Sequence, residues 1–273
     1  MPTIAELVVL MGAAALAGAM NSIAGGGTFL TFPALVWSLG AGNEVAANVT
    51  STIALCPGSF ASAWAYRREL SHYGHWLKWL FWPSLLGSVA GTLLLLWGRP
   101  ETFQKLIPWL ILLATLLFAL QPRILRSSGL ANAGDAHVVP ASNRRLGAIL
   151  LFQTAIGLYG GYFGAGIGIL MLSSLGLLGM TDIHGMNAVK TVLATLINAV
   201  ALALFLWQDS FPVPGQGEII NWPRALPMVL AGVAGGYFGA HYGRLLDKHL
   251  LRRLIVLIGS VLTAWYFWRQ WAG

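Results

Sequence analysis

Charge is what this sequence has least of. Of its 273 residues 9% are charged, whereas a soluble domain carries about 25%, so there is too little polar material to cover a water-facing surface. Cys56 is the one cysteine, which excludes an internal disulfide and any cysteine metal cluster and suits a small buried residue. The chain has no G-x-S-x-G, no H-E-x-x-H and no P-loop lysine. It also lacks paired acids or a nucleophile beside its base, so no catalytic or metal residues are expected, no cofactor is implied and the chain does not read as an enzyme. The short segments of alternating polarity that a closed barrel requires are missing too.

What is present is apolar, in long blocks such as 77–97, 106–120 and 254–268. Runs near 20 residues are what a bilayer core of roughly 30 Å demands, and the reading is an all-α integral membrane protein placed in a cell membrane, the inner membrane in a bacterium. The formal net charge of +7 points to topology rather than nucleic acid, because the bases sit in short loops between spans. The apolar N-terminus lacks a basic n-region and carries Glu6 instead, so it is expected to stay as the first membrane segment.

Shifting the sequence by 139 positions brings up a second copy of one stretch. Gly25, Gly26 and Gly27 fall on Gly164, Ala165 and Gly166; Asn48 falls on Asn187, Ser51 on Lys190 and Thr52 on Thr191. Each half then holds about five hydrophobic segments: 4–20, 28–39, 45–66, 76–97 and 103–120, then 146–163, 166–178, 187–207, 224–242 and 250–271. This predicts two transmembrane repeats, 1–121 and 146–273, joined by a polar, cytoplasmic connector at 122–145. Pro83, Gly87 and Gly91 compare with Pro227, Gly232, Gly235, Gly236 and Gly239, small residues that let helices approach closely in lipid.

Eleven of the 16 lysines and arginines cluster at 67–78, 123–145 and 244–253, which the positive-inside rule places in the cytoplasm. The loop after the third segment is basic in the first half and acidic in the second, so the repeats are expected to be inverted, each crossing the membrane an odd number of times.

Glycine inside a helix costs about 1 kcal/mol relative to alanine, so both clusters predict helices broken near the midplane. Such backbone is tolerated in a bilayer only inside protein or against a wet cavity, and the helix that restarts offers N–H groups and a positive dipole end to an anion. Asn48, Ser51 and Thr52 stand at i, i+3 and i+4, on one helix face. Asn187, Lys190 and Thr191 repeat that face, with Ser59 and Asn198 further along. Lysine in a helix centre costs about 2.5–3.5 kcal/mol on insertion scales, a cost that a bound anion offsets. The plainer alternatives are that the asparagines bond unwound backbone, that Lys190 snorkels to the interface and that the glycines serve packing. His184 beside Asp182 suits a proton relay, or Asp182 simply starts a helix. His72 and His75 read as solvated loop residues.

At these residues the sequence resembles the sulfite exporter TauE/SafE family, also called the sulfonate uptake permeases. The matching features are 21–27 with Pro33 following, 47–51, and the second-half stretch 160–168 with 187–191. The resemblance covers nearly the whole chain outside the connector. It implies a permease for a small sulfur-containing anion such as sulfite or an organosulfonate, working by alternating access. Gly25–Gly27, Gly164–Gly166, Asn48, Ser51, Thr52, Asn187, Lys190 and Thr191 would form its substrate site. The alternatives are a passive anion channel and a non-transporting membrane scaffold. No carboxylate inside an apolar run marks a proton path, which leaves H+ and Na+ both open as coupling ions; a homo-oligomer is open as well.

Overall fold

The computed structural model describes residues 1–23, 25–68, 70, 73–125, 143–177, 180, 182–212, 219–242 and 248–272. These contain ten helices and no strand: α1 (Ile4–Ile23), α2 (Thr28–Leu39), α3 (Glu44–Ala65), α4 (Gly74–Trp97), α5 (Pro100–Leu125), α6 (Asn143–Tyr162), α7 (Ile167–Leu177), α8 (Ile183–Ser210), α9 (Trp222–Tyr242) and α10 (Lys248–Ala272). The expected segments are all there, with shifted ends. α5 runs past 121 to Leu125, α6 starts at Asn143, and most of the expected connector lies outside the described residues. α8 begins at Ile183 rather than at 187, because Asp182 accepts hydrogen bonds from the N–H groups of His184 and Gly185 and so starts the helix earlier.

The bundle is apolar outside and polar within. Leu16, Leu86, Leu151, Leu230 and Leu257 are exposed in mid-helix, while Asn48, Ser51, Ser88, Gln153 and Lys190 are buried. Water would penalise such a surface, and lipid accepts it. Among the described residues, four helical stretches are long and apolar enough to span by themselves: Ile4–Ser22, Gly74–Trp97, Pro100–Leu120 and His184–Ser210. α3 carries its polar residues on the protein side, which lowers its hydropathy without exposing them to lipid. α2 and α7 have 12 and 11 residues. At 1.5 Å per residue they rise about 16–18 Å, roughly half a bilayer core.

Helix partners are exchanged between the halves. α9 lies on α1 and α3, α4 lies on α6 and α8, and α5 meets α10. Glycines permit these contacts. A Cβ on Gly235 would run into Ala15 O, and one on Gly239 into Ala19 Cα, so α1 and α9 run in the same direction. Gly157 lies against Ser84 O and Gly161 against Ser88 O, so α4 and α6 do the same. Side-chain hydroxyls tie these seams to backbone: Ser88 Oγ donates to Ile197 O at 2.9 Å and Thr92 Oγ1 to Gly161 O at 3.3 Å. Gly87, Gly91, Gly232 and Gly236 likewise face neighbouring backbone.

Candidate functional site

Both glycine clusters end one helix and start a short one. The Gly25 N–H donates to Met20 O at 3.0 Å and the Gly164 N–H to Tyr159 O at 3.1 Å, each five residues back. The restart matches as well: Leu30 N–H to Gly27 O at 2.9 Å, and Ile169 N–H to Gly166 O at 3.1 Å. Gly25, Gly26, Gly164 and Gly166 have φ of +79°, +92°, +80° and +78°, a region that L side chains rarely adopt. Ala165, which stands where the first half has Gly26, avoids it; in that half the second positive φ falls on Gly166 instead. A Cβ on Gly25 would sit 3.0 Å from Gly168 Cα. The two breaks therefore touch.

A cavity lies where they meet, with about 40 Å³ open to the centres of water-sized molecules. Of the residues expected from sequence, Gly25, Gly26, Thr52, Gly164, Lys190 and Thr191 line it, and Ser59 and Asn198 of the same helix faces join them. Lys190 is 1% exposed, so it does not snorkel, and its Nζ meets no hydrogen-bond partner among the described residues. Thr191 Oγ1 is in the same condition. Thr52 Oγ1 donates to Asn48 O at 3.0 Å, and Asn198 Nδ2 lies 3.5 Å from Ser59 Oγ.

The other six are not among the lining residues. Ser51 Oγ lies 2.5 Å from Thr31 Oγ1, buried between α2 and α3. Asn48 Nδ2 donates to Tyr162 O at 3.0 Å, so an asparagine of the first half holds the last turn of α6 in the second. Its Oδ1, like that of Asn187, is buried without a partner among the described residues. The Gly27 N–H is taken by Asn21 Oδ1 at 2.7 Å. Gly166 packs on Ala114 and Phe118, and Ala165 O accepts the Tyr159 hydroxyl at 2.8 Å.

Asn21 was not expected in the wall, yet it lines the cavity. It belongs to the glycine block itself, and an asparagine six residues before Gly27, the residue that precedes the restarting helix, was the available signal.

Chemically, the wall offers one ammonium group, hydroxyls and side-chain amides. Among the described lining residues there is no carboxylate, imidazole or thiol. Asp182 stands apart at the α8 terminus, where Tyr73 Oη donates to Oδ2 at 2.7 Å. Partial burial pushes its carboxyl up, but the hydrogen bonds from Tyr73, Gly185 and His184 outweigh this and hold it below the usual value.

The sulfite exporter TauE/SafE family model matches residues 10–266. The chain belongs to the TauE/SafE family. A Haemophilus influenzae protein named "Probable membrane transporter protein" is 29% identical, covering 94% of this chain and 93% of its own length. A Xylella fastidiosa protein of the same name is 27% identical over 99% and 98% of the two chains. "Probable membrane transporter protein YfcA" of Escherichia coli K12 is 28% identical over 94% and 88%. No solved structure matches. The chain is a multi-pass membrane transporter of the TauE/SafE family, and its cavity lies where the two glycine breaks touch.

Proposed function

We propose that this transporter moves a small anion, a sulfur oxyanion or an organosulfonate, by alternating access around the cavity between the glycine breaks. Lys190 carries the proposal. A buried ammonium without a partner is costly in a membrane protein, and an anion in the cavity satisfies it. Thr191, Asn198 and Asn21 supply further hydrogen-bond donors, while the Thr52 proton is already given to Asn48 O, and the breaks at Gly25–Gly26 and Gly164 give close backbone approach. Asn48 and Ser51 support the cavity from behind its wall.

Two repeats of opposite orientation, 1–121 and 146–273, suit this mechanism. Their inversion is supported by the exchanged partners: α1 runs with α9, and α4 with α6, although α4 turns back from α3. The cavity spans Thr52–Ser62 of α3, in the half that ends at the basic Arg67 and Arg68, which we place in the cytoplasm. Aromatic rings and ion pairs occupy the opposite end. Phe32 and Phe163 pack edge to face, as do Phe29 and Phe118. Beyond them Glu44 pairs with Arg269 at 3.3 Å and accepts from Gln104 Nε2 at 3.0 Å, while Arg224 reaches Glu6 at 3.9 Å.

The test is flux of radiolabelled sulfite into proteoliposomes, with thermal-shift measurements on purified protein against sulfate, thiosulfate, sulfoacetate and a carboxylate control. Stabilisation by sulfur oxyanions that disappears in Lys190→Ala, with the variant still folded, supports the reading. Wild-type flux in that variant refutes it.

A further inference from the structure

The placement of negative charge, rather than of positive, narrows the ligand further. Every acid among the described residues sits at a helix end. Glu6 is the third residue of α1, Glu44 the first of α3 and Glu101 the second of α5; Asp182 caps α8 and Asp209 is its penultimate residue. Most are engaged there: Glu6 with Arg224, Glu44 with Arg269, Asp182 with Tyr73, and Asp209 with the Trp222 indole N–H at 3.0 Å. None of the five lines the cavity.

From this we infer, on the basis of the proposed anion site, that the cavity selects against zwitterions: it takes compact anions with an uncharged remainder and rejects aminosulfonates of the same size. An ammonium group carried in beside the anionic head would lose its hydration without gaining a counter-charge from the described lining residues. It would also be confined with the Lys190 ammonium, in a space of about 40 Å³. Once an anion is seated, a space of that size leaves little room for a solvating shell around a second charge. The uncharged part of an anion has suitable neighbours instead, since Leu55, Ile167 and Ala194 are also in the wall. Rejection by a missing counter-charge acts alongside attraction by Lys190, and specificity needs both.

The experiment uses wild-type protein and two matched pairs: ethanesulfonate with aminomethanesulfonate, and isethionate with taurine. Each competes against radiolabelled sulfite for uptake into proteoliposomes, and each is titrated in a thermal shift. The expected result is that the uncharged-tail member of each pair competes better by roughly tenfold or more, the scale of a single repulsive or unpaired charge. Equal competition by taurine and isethionate overturns the zwitterion rule while leaving the anion site standing. If no anion competes or stabilises, the site and the rule fall together.

Discussion

The two halves of this transporter are alike in their packing and unlike in their chemistry. Gly91 and Gly235 occupy corresponding places in α4 and α9 and face the backbones of α6 and α1. Gly25 and Gly164 end their helices with the same hydrogen bond. Yet at one matched pair of positions the halves diverge: Ser51 is tied to Thr31 behind the wall, while Lys190 lines the cavity with its ammonium group unpartnered among the described residues. Shared scaffold positions are held by steric need. The polar face that the scaffold presents is free to differ, and one copy can serve structure while the other carries charge.

The largest effects should come from breaking what the halves share. Gly91→Leu and Gly235→Leu each force a bulky side chain onto backbone atoms of the neighbouring helix, and overpacking of this kind costs about 1–3 kcal/mol or more. Both are expected to lower the recovered folded fraction in detergent by similar amounts, judged by size-exclusion profile and thermal denaturation. A collapse in only one of them would mean that the two interfaces are not equivalent.

Next comes the position where the halves differ. Lys190→Ala is expected to reduce anion flux by roughly tenfold to a hundredfold, matching the loss of about 1.5–3 kcal/mol of charged hydrogen bonding. Its thermal stability should hold or rise, since it removes a buried ammonium. Ser51→Ala should do the reverse, costing about 1 kcal/mol of stability through the lost Thr31 contact while flux is retained. Paired flux and melting curves check both, and a Ser51→Ala variant that melts normally but does not transport would overturn the division of labour.

Asn48→Ala stands between these cases. It frees Tyr162 O at the end of α6 and leaves that carbonyl buried, at about 1–3 kcal/mol. The expected outcome is a lowered melting temperature with flux reduced in proportion to the folded fraction.

The glycine breaks were legible in the sequence because the requirement is local: three small residues between apolar runs, repeated at a fixed offset. The shared face of Asn187, Lys190 and Thr191 was legible for the same reason, as i, i+3 and i+4 fix a face. Such spacing does not say what the face meets. Ser51 was grouped with Lys190 because its partner, Thr31, lies on another helix, and Asn48 reaches Tyr162 in the other half of the chain. Asn21 was passed over because its bond to the Gly27 N–H exists only once the chain has turned. The start of α8 was placed late because Gly185 and His184 interrupt the apolar pattern just after the capping Asp182.

The smallest effect concerns those caps, and it isolates the comparison at a site far from the cavity. Asp182 and Asn43 correspond under the 139-residue offset, each preceding a long helix. Asp182 caps α8 through two backbone N–H groups and also accepts from Tyr73. Asn43 makes no side-chain cap bond to α3, and its Nδ2 donates back to Leu39 O at 2.9 Å. Loss of a capping side chain costs about 0.5–2 kcal/mol, so Asp182→Ala is expected to lower the melting temperature more than Asn43→Ala. The pH dependence gives a second handle. The Asp182 carboxyl is held below its ordinary value of 3.8 in the folded protein, so its contribution is present above pH 3.8 and is lost as pH falls through the lower folded value. Asp182→Asn should flatten that acid limb of the stability curve and leave the neutral-pH ranking of the Asn43 variants unchanged; an unaltered acid limb would show that the cap does not titrate with folding.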